Sequence, residues 1–223
     1  GLPFIAPDYS SAWLLKDVQM GYLQEKFGKK GLMILYTSPW PGQGFYTKSP
    51  VNSVADFKGK KLRIYSTATQ QMGSMLGFNA TILPFAEIPQ AFSTGLIEAL
   101  FTSPQTGIDI QAWDNTKHFT YAGAIFSKNA VVVSKKAFNA LSKDDQMNIL
   151  AAAKKAEIRG WEMSAETTKK QIDILKKNGM SAKNAPDEVI SKMKSIGLEM
   201  MKSWRSKASP EANSVLDRYL SMR

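Results

Sequence analysis

No cysteine occurs among the 223 residues. Its absence excludes disulfides, thiolate nucleophiles and thiolate zinc sites, and it permits an oxidising compartment without requiring one. Histidine is almost as scarce. His118 stands alone, so a metal site built on several imidazoles is excluded too. No run of about 18 uncharged apolar residues is present, so no membrane-spanning helix is expected. The opening Gly1-Leu2-Pro3-Phe4-Ile5 has neither a basic region nor a small-residue cleavage site and does not read as a signal peptide. Arginine is missing from the first 158 residues with one exception, Arg63; the other ten basic residues of 1–134 are lysines.

What is present is ordinary for a globular chain: 43% apolar and 22% charged residues. The net charge of +10 is unevenly spread. Residues 1–134 carry 11 Lys+Arg against 8 Asp+Glu, and residues 135–223 carry 18 against 11. The excess therefore sits in the C-terminal third, mostly as lysine mixed with acids, which reads as a solvated helix surface. A stripe that tracks phosphates, the mark of a basic surface-binding module for nucleic acid or anionic membrane, is the alternative.

Between positions 31 and 134, short apolar runs alternate with helical stretches. Strands are expected at 32–37, 61–65, 80–83, 97–102, 119–122 and 130–134, because these segments are short and apolar in the manner of covered strands. The intervals carry helix punctuation. Asn52-Ser53 with Asp56 and Gly59 brackets one turn, Ser66-Thr67 opens a helix that Gly77 closes, and another runs from Pro84 to Gly95. Such alternation predicts an α/β sheet covered by helices.

At Ser142 the pattern changes. Ser142-Lys143-Asp144-Asp145 resembles a capping box with Asp in the place of Glu or Gln. Helical periodicity then runs to about Asn178, with Gly179 as the stop and Ile149, Ala153, Ala156, Gly160 and Met163 on the inward face. Some 35 residues of helix is about three times the usual length, so this helix is expected to cross more than one core. Further helices are expected after Pro186 and after Pro210.

Arg63 lies in Lys61-Leu62-Arg63-Ile64-Tyr65, followed at once by Ser66-Thr67-Ala68-Thr69. A guanidinium at a strand end beside a helix N-terminus can hold a carboxylate through two parallel hydrogen bonds. The crevice outside strand ends is where open α/β folds bind ligands. A surface arginine paired with a local acid is the competing reading.

Several ordered motifs bear on this choice. Residues 40–51 read Trp-Pro-Gly-Gln-Gly-Phe-Tyr-Thr-Lys-Ser-Pro-Val, residues 55–63 read Ala-Asp-Phe-Lys-Gly-Lys-Lys-Leu-Arg, and Leu76-Gly77 follows. Then come Leu83-Pro84-Phe85-Ala86-Glu87-Ile88, the block from Ala91 to Ala99, and Ala140-Leu141-Ser142 with Gln146. Taken in order, these resemble the DctP family, the solute receptors of tripartite ATP-independent periplasmic (TRAP) transporters, over nearly the whole chain.

The resemblance implies a periplasmic-binding-protein-like fold of two α/β lobes joined by a long lobe-spanning helix. Residues 1–41 and 124–142 would form lobe 1, residues 42–123 lobe 2, and residues 143–223 the spanning helix and C-terminal helices. It also implies that a first βαβ region precedes the segment resembling Gly1–Ser10, so that lobe 1 is incomplete at its N-terminus. By the same resemblance Arg63 matches the carboxylate-clamping arginine and Phe85 an aromatic that packs on the solute. Ser103 falls where many members have Asn before Pro, and Asn129 lies on a strand returning to the cleft. Plain roles compete with each: a core ring for Phe85, a cap for Ser103, a surface amide for Asn129.

Two departures bear on the solute. Members that take sialic-acid-like sugars carry a further arginine near 42–45, where this chain has Gly42-Gln43-Gly44. Ala99-Leu100-Phe101 replaces the usual Asp-Gly pair. With Trp40, Phe45, Phe101 and Trp113 close in sequence, an apolar or aromatic monocarboxylate comes into view, although large apolar side chains more often end in a core. The expectation is a periplasmic receptor for a small organic acid, partnered by the membrane permease subunits, with no nucleic acid, no cofactor, no metal and no catalysis. An enzyme would need a nucleophile, base or metal, and Glu87 with Glu98 is the one candidate carboxylate pair.

Overall fold

The computed structural model describes residues 1–223. In chain order its elements are α1 (Tyr9–Gly28), β1 (Leu32–Pro39), β2 (Gly44–Thr47), β3 (Lys61–Ile64), α2 (Thr67–Met75), β4 (Asn79–Ile82), α3 (Ile88–Ser93), β5 (Ala99–Thr102), α4 (Pro104–Asp109), β6 (His118–Tyr121), β7 (Lys128–Ser134), α5 (Lys135–Asn139), α6 (Lys143–Lys177), β8 (Ser181–Asn184), α7 (Asp187–Arg205) and α8 (Pro210–Ser221). Helix starts follow from side-chain caps. Asp8, Ser66, Ser103, Ser134, Ser142 and Ser209 each accept a backbone N–H from the first turn they precede. Gly77 and Gly179, with φ of +96° and +87°, supply the left-handed residue that ends α2 and α6.

Six strands form one mixed sheet in the order β4-β3-β5-β2-β6-β8. β3 runs parallel to β4 and β5, β6 parallel to β8, and β2 antiparallel to both its neighbours. Successive residues of a strand face opposite sides, and both sides are covered here. Phe45, Leu62, Ile64 and Phe101 join Met72 of α2 and Val189, Met193, Ile196 and Met200 of α7 in one cluster. Tyr46, Leu100 and Phe119 join Ile88, Ala91 and Phe92 of α3 and Leu175 of α6 in the other. Phe45 and Phe101, near the expected cleft in sequence, are therefore core rings, fully buried beside Phe57.

β1 and β7 form a separate antiparallel pair from Leu32↔Ser134 to Pro39↔Lys128, with a register shift between Ile34 and Tyr36. α6 is one unbroken helix that packs on β1, on α4 and on β8, so it touches both sheets. Its inward face keeps Ile149, Ala153, Ala156 and Gly160 of the expected set and departs from it at Met163. Trp161, Ser164, Gln171 and Leu175 are buried with Ala153, whereas Met163 is exposed. Residues 143–223 are also not wholly helical, because β8 extends the large sheet.

Candidate functional site

One cavity of about 480 Å³ is lined by eleven residues, among them Trp40, Arg63, Phe85, Ser103 and Asn129. All five residues singled out in the sequence thus line one cavity. Trp40 follows β1 and Asn129 lies on β7, whereas Arg63 is on β3, Phe85 follows β4, and Ser103 follows β5. The cavity consequently lies between the two-stranded pair and the C-terminal ends of parallel strands β3 and β5, a position that α/β folds use for ligands.

Arg63 pairs with Thr81 on one side and Leu100 on the other, so the sheet fixes its backbone. Its Nε and Nη2 both donate to the carbonyl oxygen of Leu83, at 3.0 and 2.9 Å. That spends the side-on edge of the guanidinium on a backbone acceptor and leaves Nη1 and the second Nη2 proton on the end-on edge. No acid lies within ion-pair distance of Arg63, so the reading of a locally paired surface arginine does not hold. Nor does Arg63 stand in an open cleft: only 4% of it is exposed. Burial pulls its pKa below the ordinary arginine value, partly opposed by Tyr65. A buried guanidinium without a counter-ion favours an anion at its free edge.

Phe85 is 53% exposed and belongs to no core cluster, so the plain core role is excluded. Ser103 is different. Its hydroxyl accepts the Thr106 N–H at 3.2 Å, donates to Thr106 Oγ1 at 3.1 Å and is 1% exposed. The hydroxyl is thus engaged in capping α4, the competing role named for it. Asn129 accepts from the Trp40 indole N–H at 3.3 Å, which orients the ring at the cavity wall.

Six lining residues escape sequence reasoning, and three of them form one hydrogen-bonded network. The Tyr65 hydroxyl donates to Gln43 Oε1 at 2.7 Å and lies 3.1 Å from Ser127 Oγ, and Gln43 Nε2 donates to Ser127 at 3.0 Å. Burial raises the Tyr65 pKa against the opposing pull of Ser127, Gln43 and Arg63, so the phenol keeps its proton and donates. Tyr65 could have been found, since it stands two residues from Arg63 and so shares its face of the chain. Gln43 shows in sequence only as the absence of an arginine, and Ser127 joins it from 84 residues away.

A family model described as "Bacterial extracellular solute-binding protein, family 7" (DctP) matches residues 1–207. The chain belongs to this family. Two solved DctP-family structures from Bordetella pertussis are similar to it along almost its whole length. DctP7, an extracytoplasmic solute receptor binding pyroglutamic acid, is 38% identical, with a TM-score of 0.95 over 98% of this chain and 73% of its own. DctP6, also described as binding pyroglutamic acid, is 34% identical, with a TM-score of 0.95 over 99% and 73%. Among curated relatives, the 2,3-diketo-L-gulonate-binding periplasmic protein YiaO of Escherichia coli (strain K12) is 26% identical over 183 residues, 80% of this chain and 56% of YiaO. The chain spans about half the length of the curated relatives it matches. The two-lobed α/β fold is that of its structural neighbours. No helix is long and apolar enough to cross a membrane.

Proposed function

We propose that this DctP-family chain is a periplasmic receptor of a TRAP transporter that binds a small polar organic acid between two lobes and delivers it to the membrane permease subunits without covalent chemistry. The observation that carries the reading is the Arg63 guanidinium: buried, without an acid, held by one edge and free at the other. The carboxylate would take the end-on edge through two charge-assisted hydrogen bonds. Phe85 and Trp40 would cover the solute, Asn129 would hold Trp40 in place, and Ser103 would contribute by shaping the α4 N-terminus.

Pyroglutamate is the solute that fits best. It is compact, and beyond its carboxylate it has a lactam N–H and C=O to satisfy. Gln43, Ser127 and Asn129 and the Asp109 carboxylate put suitable donors and acceptors in the same wall. An apolar or aromatic monocarboxylate is less well matched, because eight of the eleven lining residues are polar or charged and Phe45 and Phe101 are buried elsewhere.

The lobes would divide as residues 1–41 with 124–142 and residues 42–123, with β8 and α7 added to the second. Closure about the crossings near 41 and 124 would exclude water and strengthen the Arg63 contact. The test is calorimetric titration of the full chain with pyroglutamate and with phenylacetate, beside melting curves at the same ligand concentrations. Saturable heat and a raised melting temperature with pyroglutamate, and little with phenylacetate, are expected. Absence of any response to pyroglutamate would remove it as the solute.

A further inference from the structure

Behind Trp40 lies a second, smaller cavity of about 240 Å³, between the end of β1, α4 and α6. It shares Trp40 and Asn129 with the carboxylate cavity, so the partition includes the 3.3 Å hydrogen bond between those two side chains. None of its lining residues is charged. Its polar groups include the hydroxyls of Ser38, Ser164 and Thr167.

One of these groups has no partner. Gln171, on α6, is 9% exposed, and its Oε1 is buried with no hydrogen bond. Its amide cannot simply turn over to escape this, because a chain of hydrogen bonds fixes its direction. The Asp109 carboxylate can only accept, and Gln105 Nε2 donates to it at 2.7 Å. Gln105 is thereby left with its oxygen toward Gln171, and Gln171 Nε2 donates to it at 2.9 Å and to Thr167 at 3.2 Å. The polarity set at Asp109 therefore passes along two amides and ends as an unanswered acceptor. An acceptor stripped of water and left without a donor costs about 1–3 kcal/mol. A donor that reaches it recovers that cost.

We infer that the cavity behind Trp40 is a neutral subsite that takes a hydroxyl group, with Gln171 Oε1 as its acceptor and the Asp109–Gln105 pair as the device that fixes the direction of the Gln171 amide. Cations and anions find no counter-charge there, and an apolar group would leave Gln171 unanswered. A small polyol, or the hydroxylated end of an organic acid whose carboxylate lies on Arg63, has the right chemistry. The second of these rests on the receptor reading above; the subsite itself does not.

The experiment is an NMR titration of the full chain with glycerol and, separately, with pyroglutamate, following the Trp40 indole N–H and the Gln171 side-chain amide. Glycerol is expected to give a weak but saturable shift of both signals, weakened at least fivefold in Gln171→Met, which keeps the length and loses the acceptor. Pyroglutamate affinity is expected to stay within twofold in that variant. Should Gln171→Met fail to fold, Asp109→Asn serves. Asp109 is exposed and also lines the carboxylate cavity, so only the glycerol response is read in this variant; by letting the amide chain reverse it is expected to weaken that response at least twofold. A glycerol response that is absent, or equal in the original protein and the folded variants, overturns the subsite. Loss of the pyroglutamate response alone, with the glycerol response intact, would overturn the carboxylate reading and leave the subsite standing.

Discussion

The two sheets of this protein are held by different means. The six-stranded sheet is covered on both faces, and β2 and β5 are buried at every position. The β1–β7 pair has no apolar cluster of its own, and Val131 and Val132 on β7 are exposed. What fastens β1 is polar. Glu157 of α6 accepts both the backbone N–H and the hydroxyl of Thr37, at 2.9 and 2.7 Å, and also pairs with Lys16 of α1 at 3.3 Å. Lys16 in turn sits 3.6 Å over the Trp13 ring, and Trp13 meets Trp161 edge-on. One wall of the cavity at Arg63 thus stands on a dense apolar core, the other on a network of charges and hydrogen bonds. Directional contacts of that kind can be exchanged in small steps, whereas a packed core resists deformation. If the chain works as the proposed receptor, whose lobes close on the solute, it gains from having one wall of each kind.

The contrast can be broken most forcefully at the core. Phe45→Ala is expected to cost about 3–5 kcal/mol, seen as a large fall in the denaturation midpoint. The matching truncation Val132→Ala on β7 is expected to cost under about 0.5 kcal/mol. Similar losses at the two positions would erase the distinction.

Arg63→Ala comes next, and it acts twice. It frees the Leu83 carbonyl and removes a buried donor, expected at about 1–3 kcal/mol of stability. It should also weaken binding of the carboxylate tenfold or more. Arg63→Lys keeps the charge without the planar fork and should fall between the two. Calorimetry beside melting curves reads both effects; an Arg63→Ala protein that still binds pyroglutamate within about twofold would remove Arg63 from the site.

Glu157→Gln sharpens the polar side of the comparison. Gln still accepts from Thr37, and Lys16 keeps Asp17 at 2.6 Å, so the expected loss is about 1–2 kcal/mol. Its signature is local: faster amide exchange along β1 with β2 and β5 unchanged. Faster exchange spread evenly over both sheets would contradict the division.

The smallest effect is expected on acidification. Asp56 accepts from the backbone N–H groups of Asn52 and Ser53, and these bonds hold its pKa below the usual Asp value. A depressed folded-state pKa means stability that is present above the unfolded value of about 3.9 and lost as pH falls through the folded one. Asp56→Asn should flatten that part of the stability profile and leave neutral-pH binding unchanged. An acid limb identical in the two proteins would count against it.

Much of this was legible in the sequence where one residue governs one local choice. The helix starts at Ser66 and Ser142, the stops at Gly77 and Gly179 and the strands around Arg63 all depend on near neighbours, and all were readable. Five elements were not, α1, β2, α4, α5 and β8, and three of them show why. α1 buries only Ala12 and Lys16 outright, so its inward face has no apolar stripe to detect. β2 begins at Gly44, where any side chain would run into the Thr120 carbonyl, and with all four residues buried it shows no alternation. β8, Ser-Ala-Lys-Asn, has little strand character and exists through its pairing with β6. For the same reason the site was half legible. Arg63 and Phe85 carry their chemistry in their own side chains, whereas Gln43 and Ser127 acquire theirs from a meeting that only the folded chain arranges.

The grip of Leu83 on Arg63 has an evolutionary side. The acceptor is a main-chain carbonyl, so substitution at position 83 cannot delete it, and Pro84 keeps the preceding residue extended. On the proposed reading, drift in the surrounding side chains can therefore retune which acid is preferred while the guanidinium keeps its aim. Under that reading, selection for a new solute would act on Gln43, Phe85, Ser127 or Asn129 one at a time, with the anchor inherited unchanged.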